Sequence, residues 1–180
     1  MDTLAQYDSI VEKCRSIFTA KNRDYGTSWR ILRPSSIYDQ IFIKAKRIRT
    51  IEEKGNTAVD EGVESEFMGI VNYCAIALIQ LQMGNDYEKE LPIDELTKLY
   101  NNTLNETRSL MQAKNSDYGE AWRDMRVSTF TDMMLVRLLR ISQINDNDGK
   151  TQASEGVESN LMDMINYAIF ALIKLDEESK

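Results

Sequence analysis

Three carboxylates stand close together in one stretch of this chain, Glu155, Glu158 and Asp163, followed by a lone asparagine, Asn166. On a helix turning about 100° per residue, Glu155, Glu158 and Asn166 share one side and Asp163 lies at its edge. Carboxylate oxygens converging from one helix suit Mg²⁺, which completes its shell with water and substrate phosphates. Glutamates in a first turn also complement the helix dipole without any ligand, so that role stands beside the metal role. Asn166 sits among Met164, Ile165 and Ala168. At that depth it must bond to a neighbouring helix, water or a ligand.

A cationic set complements the acids. Arg137 and Arg140 lie three apart and share a helix face, as do Lys44 and Arg47. With Lys21 and Lys114 they are candidates for holding phosphate oxygens, arginine bidentately; pairing with the abundant surface acids is the alternative. Tyr25, Tyr118, Trp29 and Trp122 offer faces on which a base stacks. The tryptophans are expected to anchor their turns in the core, and the tyrosines stay open to either role. Asp24 and Asp117 could be ligands or could cap the short helical piece that follows each turn, and capping is the expectation preferred. There is no histidine. Histidine bases, histidine-paired serine or cysteine nucleophiles and imidazole ligands are therefore excluded, which leaves carboxylates, lysine, tyrosine or a carboxylate-bound cation for any catalysis.

The set occurs twice. Glu61-Gly62-Val63-Glu64-Ser65, leading to Asn72-Tyr73, anticipates Glu155-Gly156-Val157-Glu158-Ser159, leading to Asn166-Tyr167. Seven of the ten residues at 21–30 match those at 114–123, and Arg137 and Arg140 take the places of Lys44 and Arg47. A repeat of this length reads as a duplicated structural unit. The copies differ at Gly69, which stands where the second has Asp163. If the aspartate is a ligand, one competent site and one degenerate site are expected.

The elements that must position these residues are helical. Leu4, Tyr7, Val11, Cys14 and Phe18 recur at three- and four-residue steps, one face of a helix. A short piece over 27–33 is expected to stop at Pro34. Ser36 with Asp39, and Thr129 with Asp132, form capping-box patterns that start the second helix of each copy. Asp60 and Ser154 are expected to cap the third helices, and Pro92 to lie in the first turn of the fourth helix overall. No alternating strand pattern appears. The reading is all-α: a tandem pseudo-symmetric pair of three-helix units forming one helical bundle domain, with repeats at 1–84 and 93–180 and a connector at 85–92. The third helices are too apolar to stand alone, so they are expected to meet across the pseudo-twofold.

At 180 residues a chain buries roughly 70% of its unfolded surface, without need of disulfide or metal. Cys14 and Cys74 lie among apolar residues and read as small core side chains. The net charge of −7 opposes binding to long nucleic acid, which needs a concentrated basic face, but permits a mononucleotide. The apolar runs are broken by Asn72 and Gln80, or by Asp163, Asn166 and Lys174, and read as too short to span a bilayer. With no export signal evident, the expectation is a cytoplasmic protein, monomer or homodimer, that binds a small-molecule nucleotide and no membrane.

Lys114-Asn115-Ser116-Asp117-Tyr118-Gly119 with Trp122-Arg123, then the Arg137–Arg140 helix, then Ser154-Glu155-Gly156-Val157-Glu158-Ser159 and Asp163–Tyr167 together resemble the nucleotide modification associated domain 1 family. The first copy matches too, except at Gly69. The resemblance covers nearly the whole chain and implies an all-α domain of bacteria and phages, linked to nucleotide or modified-base metabolism. The layout is also similar to the all-α nucleoside triphosphate pyrophosphohydrolases, whose paired acidic motifs on adjacent helices bind Mg²⁺. It implies that Glu158 and Asp163, with Glu155, hold Mg²⁺ and orient water. Lys114, Arg137 and Arg140 (Lys44 and Arg47 in the first copy) would then neutralise phosphates, and Asn166 and Tyr118 would position base or sugar. The chain departs from that pattern at the second helix, where cations stand in place of the acidic pair. A non-catalytic helical module that binds a nucleotide or a protein partner is the alternative expectation.

Overall fold

Two helices are apolar around nearly their whole circumference, and such helices need neighbours on every side. They are α3 (Val63–Met83) and α6 (Val157–Glu178), buried at Phe67, Ile70, Val71, Cys74 and Ala75 in one, and Leu161, Met164, Ile165, Ala168 and Ile169 in the other. In the computed structural model, which describes residues 2–55, 62–84, 90–147, 149 and 156–180, α3 and α6 pack along each other more extensively than any other pair. Helix α2 (Pro34–Lys54) covers α3, α5 (Val127–Asp146) covers α6, and α2 and α5 pack together, which completes a four-helix set. The remaining side of the central pair is covered by α1 (Thr3–Tyr25) and α4 (Ile93–Tyr118), each touching both α3 and α6. Short 3₁₀ turns at Ser28–Ile31 and Ala121–Asp124 link α1 to α2 and α4 to α5. No strand occurs among the described residues, and the third helices of the two units do meet.

Buried asparagines tie the two repeats together. Tyr7 Oη on α1 donates to Asn166 Oδ1 on α6 at 2.7 Å, and Asn166 Nδ2 donates to the Thr107 carbonyl on α4 at 3.3 Å. Tyr100 Oη on α4 donates to Asn72 Oδ1 on α3 at 2.8 Å, and Asn72 Nδ2 donates to the Cys14 carbonyl on α1 at 3.0 Å. Each amide thus joins a helix of its own repeat to a helix of the other. Buried amides are tolerated where both ends are satisfied, and these are.

Several helix starts differ from the sequence expectation. Pro34 begins α2 instead of stopping the piece before it, with Arg33 at the N-cap and no side-chain cap. Proline's fixed φ and missing N–H suit a first turn, which places Ser36 and Asp39 inside the helix. Helix α5 likewise begins at Val127, so Thr129 and Asp132 are internal. Pro92 is the N-cap of α4 rather than a first-turn residue. Asp24 and Asp117 fall in the last turns of α1 and α4, and the residues before the 3₁₀ turns, Thr27 and Glu120, make no cap bond. Gly62 and Gly156 occupy the N-cap positions of α3 and α6; Asp60 and Ser154 lie outside the described residues. By length and composition α3 is apolar enough to cross a membrane, contrary to the reading of its sequence. Here its apolar surface is taken up by the central layer of the bundle.

Candidate functional site

In the second repeat the cations and Asp163 draw together. Asp163 on α6, with its side chain 7% exposed, places Oδ1 2.6 Å from Lys114 Nζ on α4 and Oδ2 3.3 Å from Arg137 Nε on α5. Arg137 also reaches Tyr167 Oη at 3.3 Å and lies over its ring. Three helices thus converge on one carboxylate, and both its oxygens face cations. In the same repeat Trp122 stacks on Phe170, centroids 4.3 Å apart and planes 6° apart, and the Arg123 guanidinium lies over the Trp122 ring.

The first repeat uses the same positions differently. Gly69 replaces Asp163, Ile76 replaces Phe170, and Gln80 replaces Lys174. The carboxylate has moved one turn back along the helix to Glu66, which takes Arg47 Nη1 at 2.9 Å and Lys44 Nζ at 3.6 Å. Its counterpart, Asn160, instead donates to the Gly156 carbonyl. Arg30 turns inward and is almost wholly buried, bonded to Gln80, whose amide donates to the Arg30 and Leu32 carbonyls at 2.8 and 2.9 Å. Trp29, without a phenylalanine to stack on, is half-buried.

The result is a pocket of about 540 Å³ between α1, α2, α3 and the 3₁₀ turn. Phe18, Trp29, Tyr73 and Ile76 supply apolar surface, and Lys21, Lys44 and Glu66 supply charge. Phe18 is held from behind by Tyr100, stacked at 4.4 Å. Tyr25, 72% exposed, stands at the rim. Lys44 crosses the face of Tyr73 at 5.5 Å. Lys21 makes no ion pair among the described residues. Asn22, also in the lining, buries an Oδ1 that has no hydrogen-bond partner among the described residues.

The other residues singled out from sequence lie apart. Glu158 is exposed near Tyr38, whose phenol is pushed up to about 12 by burial first and by Glu158 second. Arg140 is exposed, Tyr118 is 73% exposed, and Glu155 lies outside the described residues. Asn166 spends its amide on Tyr7 and Thr107. Among the described residues no three acidic, cysteine or histidine side chains gather as a metal cage. With Asp163 held by two cations and Glu158 in solvent, the described carboxylates do not fit a shared Mg²⁺.

Glu66 and Ile76 escaped the sequence reading. The available signal was the set of positions at which the two copies disagree, Glu66 against Asn160 and Ile76 against Phe170.

The fold and site together define an all-α tandem-repeat bundle whose halves have diverged at one pocket. The chain belongs to the nucleotide modification associated domain 1 family, whose model matches it twice, over residues 21–81 and 114–175. The matched segments begin at Lys21 and Lys114, the equivalent cations of the two sites. No curated protein and no solved structure gives a significant match.

Proposed function

We propose that the first repeat binds a free nucleotide, with its base on the aromatic wall and its phosphate at Lys21 and Lys44. The observation that carries this reading is one pocket joining Trp29 and Tyr73 to Lys21, a cation without an ion pair among the described residues. Its volume lies within the roughly 300–1,000 Å³ of small-molecule sites. Aromatic faces suit any base, and charge-assisted bonds suit phosphate oxygens. Asn22 Oδ1 is an acceptor for a ligand N–H or O–H. The family's description, nucleotide modification associated, agrees with such a ligand.

Binding is favoured over hydrolysis by the state of the carboxylates. Glu66, the one acid among the described lining residues, pairs with Arg47 Nη1 at 2.9 Å and faces Lys44 Nζ at 3.6 Å, so its charge is already balanced by cations of the protein. Titrating a panel of nucleoside mono- and triphosphates while following tryptophan fluorescence tests the reading, since Trp29 lines the pocket. Binding is expected to survive chelation of divalent ions, with Lys21→Ala weakening it about tenfold, the value of one charge-assisted bond. The Mg²⁺-dependent pyrophosphohydrolase reading expects pyrophosphate release that disappears on chelation and in Asp163→Asn. Absence of binding across the panel would overturn the nucleotide reading.

A further inference from the structure

The two repeats differ in where one carboxylate stands, and the difference marks a position for a ligand's charged group. In the second repeat the Asp163 carboxylate lies between Lys114 and Arg137, at 2.6 and 3.3 Å. The equivalents in the first are Gly69, Lys21 and Lys44, a glycine in place of the carboxylate and a lysine at each cation position. A Cβ built on Gly69 would meet Lys44 Cε at 3.0 Å and Nζ at 3.2 Å, so the lysine lies directly over the bare backbone. All three residues line the open pocket. Lys44 shares Glu66 with Arg47, and Arg47 holds that carboxylate more closely, at 2.9 against 3.6 Å. Lys44 is therefore the cation that can turn to another anion while Glu66 stays neutralised.

We propose that the second repeat carries, in Asp163, a built-in substitute for the group the first repeat takes from solution. The nucleotide's phosphate seats against Gly69, bridging Lys21 and Lys44 as the aspartate bridges Lys114 and Arg137. Gly69 is then a specificity-determining residue. With no side chain of its own it leaves Lys44 lying over bare backbone, so that when Lys44 swings toward the phosphate the space takes the phosphate, with no carboxylate at that position to compete for the lysines. A neutral ligand gains nothing there, so the site discriminates nucleotide from nucleoside. This rests on the nucleotide reading above.

The test is calorimetric titration with the tightest-binding nucleoside monophosphate of the panel and with its parent nucleoside. Gly69→Asp is expected to supply the anion internally, weakening the monophosphate by at least about 30-fold while the melting temperature holds or rises. Gly69→Asn, equal in size but uncharged, is expected to weaken binding less and to give no thermal gain. In the Gly69→Asp background, Asp163→Gly is expected to restore one phosphate-binding site, now at Lys114 and Arg137. Should that double variant fail to fold, the two Gly69 variants decide. Wild-type protein that binds no nucleotide overturns the nucleotide reading, and this inference with it. Nucleotide binding that survives Gly69→Asp within about threefold, or nucleoside that binds as tightly as its monophosphate, overturns the inference alone.

Discussion

Above pH 9 the fold is expected to lose stability at about 3 kcal/mol per pH unit, because two buried thiols keep protons that the unfolded chain releases. Burial pushes Cys14 from 9.0 up to about 12, and Cys74, sealed in the centre of α3, is raised as well. A group whose native pKa is raised contributes fully below its unfolded pKa, and that contribution fades as pH climbs toward the native value. The window therefore opens near pH 9 and extends to about 12 for Cys14. Tyr7 and Tyr100 join from about pH 10, their phenols raised chiefly by burial. Against a total of about 5–15 kcal/mol for a domain, this points to alkaline unfolding near pH 11. Urea midpoints followed by circular dichroism across this range provide the measurement. The Cys14→Ala/Cys74→Ala variant should show a shallower slope between about pH 8.5 and 10. A midpoint that stays level through that interval in the native protein would contradict the account.

Asn166→Leu is expected to cost about 2–4 kcal/mol, because it strands the Tyr7 hydroxyl and takes one partner from the Thr107 carbonyl. Both residues are wholly buried, so water cannot replace the amide. Adding Tyr7→Phe should recover part of the loss, since removing both ends of a buried hydrogen bond costs less than removing one. A double-mutant cycle measures that coupling. Asn72→Leu should destabilise on the same scale, but Asn72 also lines the first-repeat pocket, so it alone of the pair should alter ligand binding. Chemical denaturation separates these outcomes. A loss below about 0.5 kcal/mol for Asn166→Leu, within the range of surface changes, would remove the asparagines from the framework.

Much of the framework was legible because it depends on periodicity. The α1 stripe through Tyr7, Val11, Cys14 and Phe18 is buried as its spacing implied. The two apolar helices lie together at the centre, since neither exposes a face that water would accept. Helix starts were less legible. Ser36 with Asp39 is a sound local signal, yet the cap falls three residues earlier, at Arg33, and Pro34 begins α2. In the site, the cations and the Gly69–Asp163 difference were visible, but not which copy would hold the open pocket.

From its own order of residues, then, the chain determined a doubled, all-helical bundle, its buried helices and the family to which it belongs. Only the packing of α4, α5 and α6 decided that Asp163 would face Lys114 and Arg137, residues 49 and 26 positions away. Helical spacing says which side a residue lies on, but the charge it meets across the gap is set by how neighbouring helices cross. The same packing set Lys44 over the bare backbone of Gly69, in a pocket that Lys21 also lines, so a change of one side chain altered what those cations face.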